Sequence, residues 1–246
     1  MKTSTLLKLL PLTTLLLTGC DITIKKEEFL NKLEEVNQAL SFENNKLDDV
    51  HINSKIAYDV YNYKKNQYYG YRSGWILAHG EYSWKDGDTY WHYVDEIGTG
   101  HDKKTEIDES TFNVYMLAHM STLLSQLRKP YNIAKQLAEE DVPDVTSLGV
   151  STNYVISSYN NKLTTNSGRL KIASTINFTY IPEYEPIESD YSSETIVIEF
   201  SKDHLPTKIT TEKKDRKGDK TKDSWSYSYG NSKFSDPTAS DTSEQA

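Results

Sequence analysis

Between Val150 and Tyr229 the apolar residues fall on alternate positions, and that period of two leaves little choice of fold. Leu170, Ile172, Ile176, Phe178 and Tyr180 alternate with Lys171, Ala173, Thr175, Asn177 and Thr179. Ile196, Ile198 and Phe200 alternate with Val197 and Glu199, and Trp225, Tyr227 and Tyr229 with Ser224, Ser226 and Ser228. Neighbouring side chains on a strand point to opposite faces, so each segment has one apolar and one polar face. Asn160-Asn161, Asn166-Ser167-Gly168, Asp203 to Pro206 and Lys217-Gly218-Asp219 separate the segments with turn chemistry. Strands joined this tightly run antiparallel, because a parallel neighbour needs a long crossover. The pattern predicts a meander with one covered side.

A one-sided sheet needs a cover, and two amphipathic stretches supply it. Phe29, Leu33, Val36 and Leu40 recur at helical spacing, which predicts a helix over about Lys25–Leu40. Phe112, Met116, Met120, Leu123 and Leu127 predict a second, from Ser110 or Thr111 to Arg128, with Ser110 as N-cap and Pro130 as its stop. Between them, Val50, Ile52, Ile56, Tyr58 and Val60 read as one half-buried strand, with Ser54 the exception. Gly70 and Gly74 suit bulges or bends in the next segment. Asp86-Gly87 predicts a hairpin turn. A two-residue turn there sets Trp84 opposite Thr89, Tyr82 opposite Trp91, Gly80 opposite Tyr93 and Ile76 opposite Ile97, with this aromatic face inward. His79, Glu81, Ser83, Tyr90 and His92 then share the outer face. The fold class expected is α+β: an antiparallel sheet covered on one side by two amphipathic helices.

The 246-residue chain carries a formal charge of −8, which gives it no electrostatic footprint for nucleic acid or for anionic lipid headgroups. It has a single cysteine, so no disulfide can staple it, and 18 tyrosines, whose rings suit half-buried sheet faces.

That cysteine closes the N-terminal segment. Lys2 and Lys8 give a positive start, Leu9 to Leu17 is a short apolar run broken by Pro11, Thr13 and Thr14, and Leu17-Thr18-Gly19-Cys20 follows. The run is too short to span a membrane. Leu-Thr-Gly-Cys resembles the bacterial lipobox. The resemblance implies that residues 1–19 are a lipoprotein signal peptide and that Cys20 is acylated and becomes the mature N-terminus. Residues 20–25 are then a lipidated tether, 26–230 a single domain, and 231–246 a polar tail expected to be disordered. The membrane is the partner expected through Cys20, on the extracytoplasmic face of the cell membrane.

An acylated cysteine, a tether, a helix, a strand set, a Met/Leu helix and a long meander resemble the element order of the LolA-like superfamily. That superfamily includes the periplasmic lipoprotein carrier and the LppX/LprG-type lipoproteins. Phe200-Ser201-Lys202-Asp203-His204-Leu205-Pro206-Thr207-Lys208-Ile209 is similar to a hairpin of the LppX type. The resemblance implies a curved sheet, a half-barrel meander, whose helices plug the concave side over a cavity for acyl chains. No family residue carries over as a ligand contact.

Candidate chemistry is sparse. His79, Glu81 and His92 share a hairpin face, and His101 and Asp102 follow, but their spacing matches no zinc motif. His119 beside Met120 could bind copper, yet Met116 and Met120 at helical spacing more often fill a core. No Gly-x-Ser-x-Gly elbow and no phosphate loop occur. Neither metal nor cofactor is expected. Trp75, Trp84, Trp91 and Tyr93 suit either a ligand groove or the core. The leading expectation is a non-enzymatic, lipid-anchored protein that binds an apolar, acyl or lipid ligand in a sheet–helix cavity. Met116, Met120 and Leu123 would line it from the helix, and Trp225, Tyr227 and Tyr229 from the sheet. The alternative is a surface interaction or adhesion module with a packed core and no small-molecule ligand.

Overall fold

The structure is a computed structural model that describes residues 20–41, 44–73, 78–97, 102–140 and 153–230, with Phe234 and Thr238. The expected signal peptide, residues Leu17 to Gly19 of the lipobox-like motif, Gly74, Trp75, Ile76, His101 and most of the tail lie outside the described residues.

The elements run β1 (Ile22–Thr23), α1 (Lys26–Ala39), β2 (Asp49–Ser54), β3 (Ala57–Asn62), β4 (Gln67–Ser73), β5 (Ala78–Asp86), β6 (Thr89–Ile97), β7 (Lys103–Ile107) and α2 (Glu109–Glu139). They continue with β8 (Tyr154–Asn166), β9 (Arg169–Tyr180), β10 (Tyr191–Phe200), β11 (Pro206–Asp215) and β12 (Lys220–Tyr229). All twelve strands form one sheet in the order β1-β8-β9-β10-β11-β12-β2-β3-β4-β5-β6-β7. The sheet is antiparallel, curved and unclosed, with α1 and α2 packed on it, as the α+β half-barrel expectation requires. The alternation holds through the centre of the meander: Ile198 pairs with Ile172 and Ile209, Phe200 with Leu170, and all are buried. The turn expected at Asn160-Asn161 does not form: β8 runs through it, the two residues pairing with Thr175 and Ser174 of β9, and the strand is bulged between Ile156 and Ser158 instead. The chain returns to its start where β12 pairs with β2, Tyr227 opposite Ile52.

Both helices turn their stripes to the sheet. Phe29, Leu33, Val36 and Leu40 join Phe112, Met116, Leu123 and Leu127 in one core cluster with Ile172, Ile176, Ile196, Ile198 and Tyr227. The ends of the helices meet, where the Lys26 ammonium donates to the Glu139 carbonyl at 2.6 Å.

Four further local expectations need correction. Residues 50–60 are two strands, β2 and β3, because the Ser54 hydroxyl accepts from the Ile56 and Ala57 amides and closes a tight turn. Ile56 at that tip is exposed. The β5–β6 turn sits one residue later than Asp86-Gly87, so Asp86 pairs with Thr89, Trp84 with Trp91 and Tyr82 with Tyr93. Gly87 takes φ +58°, the left-handed conformation that turn needs. Asp108 caps α2, its carboxylate accepting from the Thr111 amide at 2.9 Å and from the Ser110 hydroxyl. α2 also runs through Pro130 to Glu139. An interior proline forfeits one hydrogen bond, to the Gln126 carbonyl, and burial of Tyr131, Ala134, Leu137 and Ala138 beyond it offsets that loss.

The packing predicts a sharp contrast on α2. Leu123→Ala, at a fully buried site, should cost about 3 kcal/mol, while Leu117→Ala on the exposed face should stay within about 0.5 kcal/mol. Urea denaturation of the two variants measures both.

Candidate functional site

Among the described residues, the six expected to line one cavity are divided between the core and three separate grooves. Met116, Leu123 and Tyr227 lie in the packed core, at 8%, 0% and 5% exposure. Met120 is half-buried and lines an open pocket of about 270 Å³ with Leu47, Asp48 and Tyr63. Trp225 borders a different groove of about 390 Å³, where Lys129 lies 5.5 Å from its ring centre. Tyr229 borders a third, of about 790 Å³, lined by Lys46, Asp48, Lys64, Lys65 and Asp203. These are surface grooves with charged rims.

The first half of the sheet is turned the other way round from the expectation. The face of β5–β6 under α2 carries Glu81, Ser83, Tyr90 and His92, and the aromatic set Tyr82, Trp84, Trp91 and Tyr93 points away from the helix. The evidence is the ring contacts of α2. His92 stacks on Tyr115 at 4.4 Å between ring centres, and His119 stacks on Tyr68 at 3.5 Å. Tyr68 leads on to Tyr61 at 5.0 Å and Tyr61 to Tyr63 at 6.1 Å. Residues of α2 are thus interleaved with rings from β3, β4 and β6.

Below these rings sits an ion pair between a buried carboxylate and a half-exposed arginine. Asp59, 1% exposed, accepts from both terminal nitrogens of Arg72 at 2.8 and 2.9 Å. The Tyr68 hydroxyl reaches the same carboxylate at 3.4 Å. Burial pushes the Asp59 carboxyl up, and the Arg72 guanidinium, with Gln126 and Tyr68, works against that shift. Gly70 is required here by close approach. A Cβ on it would sit 1.9 Å from the Tyr68 hydroxyl and 3.0 Å from the Asp59 carboxylate. The bulge or bend expected at Gly70 is a regular strand position with no room for a side chain.

His119 completes the cluster. Its Nε2 lies 3.7 Å from a Glu81 carboxylate oxygen, too far for a hydrogen bond, and has no hydrogen-bond partner. Burial, with the nearby His92, lowers its pKa to about 3. The Tyr61 hydroxyl, fully buried, also lacks a hydrogen-bond partner, and burial drives its pKa far up. His92 instead pairs its Nδ1 with the Ser83 hydroxyl at 3.2 Å. Glu81 faces Val94 in register, so the expected Glu81–His92 pairing is replaced by Ser83–His92. No group of three or more metal-ligating side chains occurs among the described residues. The arrangement is a neutral aromatic and imidazole stack that clamps α2 to the sheet.

The outer face carries a ring ladder. His51 meets Tyr58 at 6.1 Å, Tyr58 meets Tyr69 at 5.7 Å, Tyr69 stacks on Tyr82 at 4.0 Å, and Tyr82 meets Tyr93 at 5.6 Å. Trp84 and Trp91 extend it at 6.5 Å, with the Lys104 ammonium 5.1 and 4.5 Å from their ring centres. Tyr58, Tyr69, Tyr82, Trp91 and Tyr93 are each half-buried, so their rings are partly open to solvent. The alternation of aromatic residues was legible in the sequence, but which face α2 covers was not. Tyr115 and His119, the residues that decide it, gave no motif.

At the other end of the sheet, Cys20 is exposed and unoxidised. The tether after it is short and structured: Ile22 and Thr23 pair with Thr165 and Thr164 of β8, and the Ile24 amide donates to the Leu163 carbonyl at 3.0 Å. No helix among the described residues is long and apolar enough to cross a membrane.

The buried His119 predicts an acid-side weakness. The unfolded chain binds a proton near pH 6.5, and the folded chain not until about pH 3, so stability falls as pH drops between these values. His119→Phe keeps the stack on Tyr68 and removes the proton. Its stability relative to the native chain should rise by about 2 kcal/mol between pH 7 and pH 5. Denaturant titrations of both chains at the two pH values measure that difference, and parallel curves would show that His119 is not held neutral.

No protein-family model matches the chain, and no curated protein sequence is significantly similar to it.

Proposed function

We propose that the chain is a non-enzymatic, lipid-anchored extracytoplasmic protein that works as a surface interaction module, with the outer aromatic face of β3–β6 as its contact surface. One observation carries this reading. The ladder from Tyr58 to Tyr93, with Trp91 beside it, leaves half-buried aromatic rings on the side of the sheet that the helices do not cover. Tyrosine and tryptophan give large rigid contact area at low entropic cost, and they are enriched at protein interfaces. The partner that fits is another protein.

An acyl-carrying function would need room between α2 and the sheet. Met116, Leu123 and Tyr227 meet there in one packed cluster, which favours the interaction module. Anchoring draws on the lipobox-like segment and on the position of Cys20. Only Asp21 separates Cys20 from β1, so an acylated Cys20 would hold the β1–β8 edge against the membrane. The aromatic face begins seven strands further along the sheet. At about 4.8 Å per strand, that is on the order of 30 Å of arc from the anchored edge.

Cys20→Ser should abolish labelling by an alkyne fatty acid and release the protein from the membrane fraction. Equal labelling of both forms would remove the anchor from this reading.

For the contact surface, a photocrosslinking amino acid at Tyr93 should give a discrete protein adduct in intact cells, and one at exposed Thr175 on β9 should not. Adducts at neither site would sink the interaction reading. Saturable fluorescent fatty-acid binding, lost in Met120→Trp, would put the carrier in its place.

A further inference from the structure

Two residues beyond β12 touch the aromatic face. The Phe234 ring lies 6.0 Å from the Trp84 ring and 6.4 Å from the Tyr82 ring. The Thr238 hydroxyl accepts from the Lys104 ammonium at 2.8 Å. Lys104 is the same cation that sits over Trp84 and Trp91. One hydrophobic contact and one polar contact, four residues apart, therefore fall on β5 and β7, on either side of β6.

Trp84 is only 3% exposed, yet it belongs to the outer face and lies outside the main core cluster. Gly230, at φ +77°, turns the chain at the end of β12, and its amide donates to the Asp49 carbonyl at 2.9 Å.

We propose that the C-terminal segment bearing Phe234 is a reversible ligand of the outer aromatic face, supplied by the chain itself. Phe234 is its anchor, Tyr82 and Trp84 form the seat, and Lys104 is the polar clasp. Phe234 and Thr238 contact the β5–β7 end of the face that the proposed function assigns to a partner, so they and a partner compete. An anchor of one ring and one hydrogen bond is weak by itself. Covalent linkage raises its effective concentration to the order of millimolar, enough to keep a weak contact closed and still release it. The inference rests on the contacts of Phe234 and Thr238, and it holds whether or not a partner binds there.

The test uses the full mature chain and a fluorescent peptide of residues 231–246. In the native chain the seat is filled, so the peptide should bind at least tenfold more weakly than to the Phe234→Ala chain. Lys104→Ala, combined with Phe234→Ala, should weaken peptide binding again without altering the far-ultraviolet circular dichroism. A peptide carrying Phe234→Ala should not bind. Equal affinity of the peptide for the native and Phe234→Ala chains overturns the proposal. So does equal binding of the two peptides, or no binding to the Phe234→Ala chain at millimolar peptide. Failure of crosslinking at Tyr93 would overturn the interaction module and leave this result standing.

Discussion

The long helix α2 makes one domain of two meanders. The strands β2–β7 precede it and β8–β12 follow it, and only the β12–β2 pairing joins them edge to edge. A twelve-stranded sheet open at both ends has no closure to hold its curvature. Phe112, Met116, Leu123 and Leu127 tie the middle of the helix into the shared core, while Tyr115 and His119 tie it to β4 and β6. Continuing through Pro130 lets Leu137 reach β8, where its carbonyl accepts from the Tyr159 hydroxyl and the Asn161 amide. A helix ending at Arg128 would leave that part of the sheet uncovered.

The concave face is divided by chemistry. Under α1 and the second meander it is mainly apolar, with the Glu194 carboxylate buried beside Ile196 and Ile198. Under α2 and the first meander it is polar and aromatic, and it depends on ring stacking and on the Asp59–Arg72 pair. Aliphatic burial is indifferent to pH, whereas a buried neutral imidazole and a buried carboxylate both titrate. His119, with its lowered pKa, favours the folded state at higher pH, and Asp59, with its raised pKa, favours it at lower pH. A buried hydroxyl without a partner, as at Tyr61, costs about 1–3 kcal/mol. Glu194 on β10 carries a similar cost, its buried Oε2 having no hydrogen-bond partner.

That division gives the two sheet faces different tasks. The inward side of β3–β6 makes the ring contacts that hold α2, with His92 on Tyr115 and His119 on Tyr68. The outward side keeps the aromatic surface, of which Phe234 covers one end. Lysine at the β7 edge serves twice, as a charge on an edge strand and as a cation over two tryptophans.

The period of two over Val150–Tyr229 and the helical stripes of Phe29–Leu40 and Phe112–Leu127 were enough to determine an α+β sheet covered on one side. Local pattern suffices there, because one apolar face per element admits only one way of packing. The sequence also determined which residues of β5 and β6 share a face, since alternation survives a shift of the turn. Which of those faces is buried was decided only by the tertiary structure. Both faces of β5–β6 contain residues able to pack, aromatic on one side and Ser, His and Glu on the other. Rings on α2, more than forty positions from Tyr68 in sequence, chose the polar one. The six residues expected to line one cavity illustrate the same limit. Their apolar character was legible, but whether they enclose a void depends on how closely helix and sheet approach, and that distance is set by every other side chain between them.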